Sequence, residues 1–130
     1  MHVDAEPVNL EPENTYVEVA VEVFRLLADA TRVRIVLALR DGELAVNNLA
    51  AAVERTPAAV SQHLAQLRWG KIVRVRQDGN RMFYRLTDEH ATRLVVEAIR
   101  QAEHSVHGPA IVGTLTGPVN HESTLRLDPR

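Results

Sequence analysis

The chain has no cysteine. That excludes a disulfide scaffold, thiolate metal sites and a cysteine nucleophile. No apolar run approaches the roughly 18 residues of a membrane span, so no membrane partner is expected. The first stretch, MHVDAEPVNLEPENT, lacks the apolar core of a secretory signal. With no disulfide-forming residues besides, a cytoplasmic protein is the expectation. No segment repeats. No nucleophile with a base and an orienting group, no phosphate-cradling loop and no paired carboxylates can be located, so an enzyme is not expected. Ser61, Gln62 and His63 stand side by side, but neighbours on a helix point to different faces.

Positive charge is also missing from one end. Residues 1–24 carry six acids and no Lys or Arg. The formal net charge is −2, yet Arg55, Arg68, Lys71, Arg74, Arg76, Arg81 and Arg85 face a single acid, Asp78, between positions 55 and 85. A basic island on an acidic chain is the electrostatic footprint of a polyanion partner. The 130 residues fit one domain with tail to spare, and the apolar fraction of 45% suits a globular core. A domain this small buries a modest share of its surface, so help from a second subunit is plausible.

Residues 1–14 hold two prolines and four acids without periodicity and are read as a flexible arm. Val17, Ala20, Val21, Phe24 and Leu27 recur at helical steps from Thr15 onward. Asp29 is placed to cap a second helix through Val33, Ile35, Val36, Leu37 and Leu39, ended by Asp41-Gly42. Val46, Leu49, Ala50 and Val53 mark a short third helix. Thr56-Pro57 is a strong start signal for a fourth, with Val60, Leu64 and Leu67 on its apolar side. Ile72, Val73 and Val75, then Met82, Tyr84 and Leu86, alternate with charged residues as two strands around Asp78-Gly79. Thr87 is placed to cap a fifth helix from Asp88 to about His107, and Gly108-Pro109 stops it. The expected fold is mainly α with a β-hairpin wing, in the order α-α-α-α-β-β-α. A single unit over 15–107 is then flanked by the arm and a loose tail, 108–130.

Two short helices joined at Glu54–Thr56 form a helix-turn-helix whose second helix enters the major groove of double-stranded DNA. The outward positions near its start are Thr56, Ala58, Ala59, Ser61, Gln62, His63 and, one turn on, Gln66. Gln62 suits bidentate pairing with adenine, and Ser61 suits a base or a phosphate. Arg55, Arg68, Arg74 and Arg76 suit phosphates, which position the protein without reading sequence. Arg81, beside Gly79 and Asn80 at the hairpin tip, suits an adjacent minor groove. The structural alternative is a solvated edge strand whose arginines guard against aggregation.

Six histidines are present, four of them beyond position 89. His90 and His104 fall on one face of the fifth helix, about 40° apart around its axis and about 21 Å apart along it. One ion reaches both only if two fifth helices run antiparallel across a two-fold axis, which gives two equivalent sites in a homodimer. Asp88 lies at the same end as His90. Glu103, His104 and His107 gather at the other end, and His121 is within reach through the tail. The donors are nitrogen and oxygen, which suits zinc, cobalt or nickel. Four ligands would favour tetrahedral zinc. The alternative is that histidines near a helix C-terminus complement its dipole without metal.

The segment FRLLADATRVRIVLALRDGELAVNNLAAAVERTPAAVSQHLAQLR resembles the ArsR/SmtB family of winged-helix repressors. The carriers are the LADATRVRI helix junction, the SQHLAQLR recognition helix and the GNRMFYRL second wing strand. The likeness runs from about Val17 to His107. Two places depart from the family pattern: Trp69-Gly70-Lys71 replaces an apolar-Ala-Gly run, and Ala45 stands where a capping Ser or Thr is common. The resemblance implies a homodimeric repressor that binds operator DNA when metal-free and releases it on binding metal, freeing metal-efflux genes. Asp88-Glu89-His90 matches the family's Asp-x-His at the start of the metal-sensing helix. Gln101 stands where zinc-sensing members often have His. Ala102-Glu103-His104 with later histidines is more similar to nickel/cobalt-sensing members. That likeness implies His90, Glu103 and His104 as ligands of nickel or cobalt (alternatively zinc), with His107 and His121 as tail contributors. A winged-helix repressor with another trigger, or none, is the alternative.

Overall fold

The computed structural model describes residues 7–107. In chain order it contains α1 (Val17–Leu27), α2 (Ala30–Ala38), β1 (Leu44–Ala45), α3 (Val46–Val53), α4 (Pro57–Trp69), β2 (Val73–Asp78), β3 (Arg81–Leu86) and α5 (His90–His107). The chain divides into two units, the first ending at Ala91 and the second beginning at Thr92.

Local chemistry sets the helix ends of the first unit. Asp29 Oδ1 accepts from the Arg32 N–H at 3.0 Å and opens α2. Thr56 Oγ1 accepts from the Ala59 N–H at 3.1 Å and, with Pro57 in the first turn, opens α4. α3 starts on Ala45 without a side-chain cap. Backbone pairing of Ala45 with Phe83 holds that start instead. α4 ends in a left-handed residue, Lys71 at φ 65°, where the Ile72 N–H reaches the Leu67 carbonyl at 2.9 Å. Gly70 precedes it, and a Cβ at Gly70 would run into Leu26 Cδ1.

Apolar side chains of α2, α3, α4 and β2 make the core. Ile35, Val36, Leu49, Val60, Leu64 and Leu67 are fully buried, with Leu39 and Val73 nearly so. Each is worth about 1.5–3 kcal/mol relative to exposure. α1 differs, since none of its residues is buried. Val17, Val21 and Phe24, which the sequence places on one helical stripe, are exposed.

The sheet has the strand order β1–β3–β2, antiparallel throughout. The hairpin loop is Gly79-Asn80, with Gly79 at φ 63°. Arg76 lies opposite Phe83 and Arg74 opposite Arg85. Side chains alternate along a strand. One face of the ladder therefore carries Arg74, Arg76 and Asp78 beside Arg85, Phe83 and Arg81. β1 adds a strand to the α-α-α-α-β-β-α order expected from sequence. Two residues are too few to show an alternating pattern.

One further local expectation changes. Thr87 does not cap α5; the Asp88 Oδ1 accepts from the N–H of His90, the first helical residue, at 2.9 Å in an Asx turn. Thr87 Oγ1 is buried without a partner among the described residues. Within and beside the stretch read as an arm, Asn9 Oδ1 accepts from the Glu11 N–H and Asn14 Oδ1 from the Tyr16 N–H. These Asx turns lead the chain into α1.

In the second unit α5 continues from Thr92. Arg100 donates to Glu97 at 2.6 Å one turn away, and Leu94 and Val106 are exposed. His2, residues 108–130 and His121 lie outside the described residues, and nothing is described of the His107 side chain.

Candidate nucleic-acid interface and metal ligands

α4 is anchored by Val60, Leu64 and Leu67, and this orientation turns its other side outward. Ala58, Ser61, Gln62, Gln66 and Arg68 are exposed, and Ala59 is half-buried. Gln62, His63 and Gln66 line a recess of about 400 Å³ with Arg32, Ala59 and Ala65. His63 differs from its neighbours. Its Nδ1 accepts from Arg32 Nε at 3.1 Å and lies 4.0 Å from Asp29 Oδ1. An accepting Nδ1 puts the ring proton of the neutral imidazole on Nε2. Arg32 also donates to the Leu26 carbonyl at 3.3 Å, so α2 holds the recognition helix by a polar clamp. Nothing local in the sequence marks Arg32, since a contact across 31 positions has no local signature.

The turn before α4 supplies Arg55 and Thr56. Arg55 donates to the neighbouring Glu54 carbonyl at 3.0 Å. The Thr56 oxygen is used by the cap, which leaves its hydroxyl proton to donate. Arg68 and Arg74, with Lys71, border a second recess of about 370 Å³. Cations grouped this way suit phosphates.

The wing arginines are differently placed. Arg76 grips Glu43 with two of its three guanidinium nitrogens, Nε at 2.9 and 3.1 Å and Nη2 at 2.6 Å. It also lies 3.8 Å from Asp78. The pair holds the Glu43 carboxyl below the usual carboxylate range, chiefly through the hydrogen bond from Arg76. Arg76, read from sequence as a phosphate contact, makes this ion pair while its side chain stays half exposed. Arg81 donates to Asn48 Oδ1 at 3.5 Å, and Asn80 is exposed at the tip. Both Arg76 and Arg81 sit over the Phe83 ring, at 4.6 and 5.0 Å from its centroid. Glu43, Asn48 and Phe83 carry no signal in the sequence, because the pairing of β1 with β3 is what assembles them.

An outward polar recognition helix behind a helix-turn, beside a cationic hairpin, is a winged helix-turn-helix. Residues 29–74 match the family model described as bacterial regulatory protein, arsR family. Over 111 residues the chain is 48% identical to the HTH-type transcriptional regulator KmtR of Mycobacterium tuberculosis, covering 85% of this chain and 82% of that one. The chain belongs to the arsR family. Within it, the HTH-type transcriptional repressor SmtB of Mycobacterium tuberculosis is 34% identical over 70% of this chain and 67% of its own length. Among solved structures, the homodimeric winged helix-turn-helix domain Mb0332 of Mycobacterium bovis is similar at TM-score 0.64 and 25% identity. It covers 78% of this chain and 94% of that one. ArsR-family membership makes the protein a DNA-binding transcriptional regulator and not an enzyme.

The α5 donors divide between its two ends. Asp88 and His90 are exposed at its start, and Glu103 and His104 are exposed in its last turns. The Asx turn uses Asp88 Oδ1 and leaves Oδ2. Carboxylate oxygens and imidazole nitrogens fit a borderline divalent ion. Among the described residues of one chain, no three His, Asp or Glu stand close enough together to hold one. No described helix is long and apolar enough to cross a membrane.

Proposed function

We propose that the protein is a cytoplasmic metal sensor. Its metal-free homodimer binds operator DNA, and nickel or cobalt (alternatively zinc) releases it, derepressing genes of metal export. The observation that carries this reading is the division of exposed donors on α5, Asp88 and His90 at one end and Glu103 and His104 at the other. Neither pair completes a coordination shell in one chain. Two antiparallel α5 helices related by a two-fold axis supply both halves twice. His107 and His121 are the candidates for further ligands. The exposed apolar stripe of α1 supports a dimer, because Val17, Val21 and Phe24 need cover.

On DNA, Ser61, Gln62, His63 and Gln66 face the base edges with Ala58. Arg55, Thr56, Arg68 and Arg74 hold phosphates, and Asn80 and Arg81 meet the neighbouring groove. Metal acts only through a difference in DNA affinity between two dimer shapes, typically 1–3 kcal/mol, or about 5–150-fold. The test is a duplex-binding titration with nickel, cobalt and zinc, each against a chelator control. The expected result is metal-driven release that His104→Ala abolishes while metal-free binding persists. Unchanged release in His104→Ala overturns the α5 site. Binding that ignores all three metals favours a repressor with another trigger.

A further inference from the structure

Two guanidinium groups share one aromatic ring in the wing. Arg76 and Arg81 both lie within 5.0 Å of the Phe83 centroid. Each is attracted to the ring, but the two like charges repel. The arrangement needs a counterion, and Glu43 supplies it with three hydrogen-bond contacts to Arg76 of 2.6–3.1 Å. Asp78, at 3.8 Å, is a weaker partner. Glu43 precedes β1, so the grip spans β3 from one edge strand to the other. Once Arg76 is neutralised, Arg81 keeps its place over Phe83 and beside Asn48 of α3. That contact ties the wing tip to the helix-turn-helix.

We propose that Glu43 is a positioning residue for DNA recognition. By clamping Arg76 over Phe83, it fixes Arg81 relative to α3 and α4 before DNA arrives, and it withholds Arg76 from the phosphates. The inference rests on the reading of Arg81 as a minor-groove contact. It divides the wing's cations into two classes: Arg81 discriminates, whereas Arg76 is a strut. A pre-set cation meets a narrow minor groove without first giving up its own freedom. Narrow, A-tract grooves attract an inserted arginine through their enhanced negative potential. Freed from Glu43, Arg76 would become one more mobile charge, which strengthens binding to any duplex and discriminates among none.

The experiment compares full-length wild type, Glu43→Gln, Arg81→Ala and the double variant. Each binds two duplexes of equal length, one carrying an A-tract and one GC-rich, over a salt series, with circular dichroism confirming the fold. Wild type should prefer the A-tract duplex, and Arg81→Ala should lose that preference. Glu43→Gln should bind the GC-rich duplex several-fold more tightly and steepen the salt slope by about 1.8, the value for one added phosphate contact in each subunit of the dimer. It should also lose at least about twofold of the A-tract preference, and should lose nothing more once Arg81 is absent. An unchanged salt slope, or equal loss of preference by Glu43→Gln with and without Arg81, overturns the positioning role. If Arg81→Ala keeps the preference, the minor-groove reading fails and the proposal falls with it.

Discussion

The recognition helix and the wing serve one surface but are held in place by opposite means. α4 is anchored by three fully buried side chains, Val60, Leu64 and Leu67, and most of its polar face is left open. The exception is His63, engaged by Arg32. The wing has little apolar anchorage. β3 has no buried residue, and β2 has only Val73. Beside the backbone ladder, Glu43, Arg76, Phe83, Arg81 and Asn48 tie the wing down in a polar and cation–π network built from some of the cations that bear the positive field. An element fixed by its core can vary its outer face freely. An element fixed by its own charges cannot change one without moving another.

The sharpest way to break this contrast is to remove apolar atoms from each element. Leu64→Ala opens a cavity in the core and should cost about 2–5 kcal/mol. Met82→Ala removes a side chain that is already 37% exposed and should cost under about 1 kcal/mol. Urea unfolding reads both. Comparable losses at the two sites would mean that the wing has an apolar anchor after all.

The same contrast explains what could be read from sequence. Thr56-Pro57 and the spacing of Val60, Leu64 and Leu67 announce α4, because caps and helical periodicity act within a few residues. The alternation of β2 and β3 and the glycine at their turn are equally local. The contacts that escaped are long-range: Arg32 to His63 across 31 positions, and Arg76 to Glu43 across 33. Thr87 was a reasonable cap by type, yet Asp88, one residue on, reaches the His90 N–H. For α5, periodicity and family likeness pick out Asp88, His90, Glu103 and His104 as candidate ligands, and the site proposed from them draws on two chains, which one chain's sequence does not display.

A smaller effect tests the junction between the two regions. Lys71 joins α4 to β2 in the left-handed conformation, φ 65°, where side chains are strained and glycine is the usual residue. Lys71→Gly should relieve about 1–2 kcal/mol of strain and lose part of it to the added freedom of the unfolded chain. A net gain below about 1 kcal/mol in thermal or urea unfolding is expected. DNA affinity should fall modestly and with a shallower salt slope, because a cation beside Arg68 and Arg74 is removed. A destabilised variant would show that the Lys71 stem packs on the fold and outweighs the strain.

The smallest effect is the dependence of the wing network on pH. The Glu43 carboxyl titrates below its ordinary value of 4.5 because Arg76 hydrogen-bonds its charged form. A group whose folded value is depressed adds stability above its unfolded value and loses it as pH falls through the folded one. The contribution is therefore full near neutrality and fades below about pH 4.5. Arg76 remains charged throughout this range and adds no slope of its own. Both partners are partly exposed, so solvent screening keeps the effect small. The stability difference between wild type and Glu43→Gln should be constant from about pH 6 to 8 and shrink towards about pH 3, with wild type losing the more. The core anchors of α4 carry no titrating group, so Leu64→Ala should show the same stability deficit across that range. A pH-independent difference between wild type and Glu43→Gln would mean that the carboxylate charge does not hold the wing, and that the hydrogen bonds alone, which glutamine can partly replace, set its geometry.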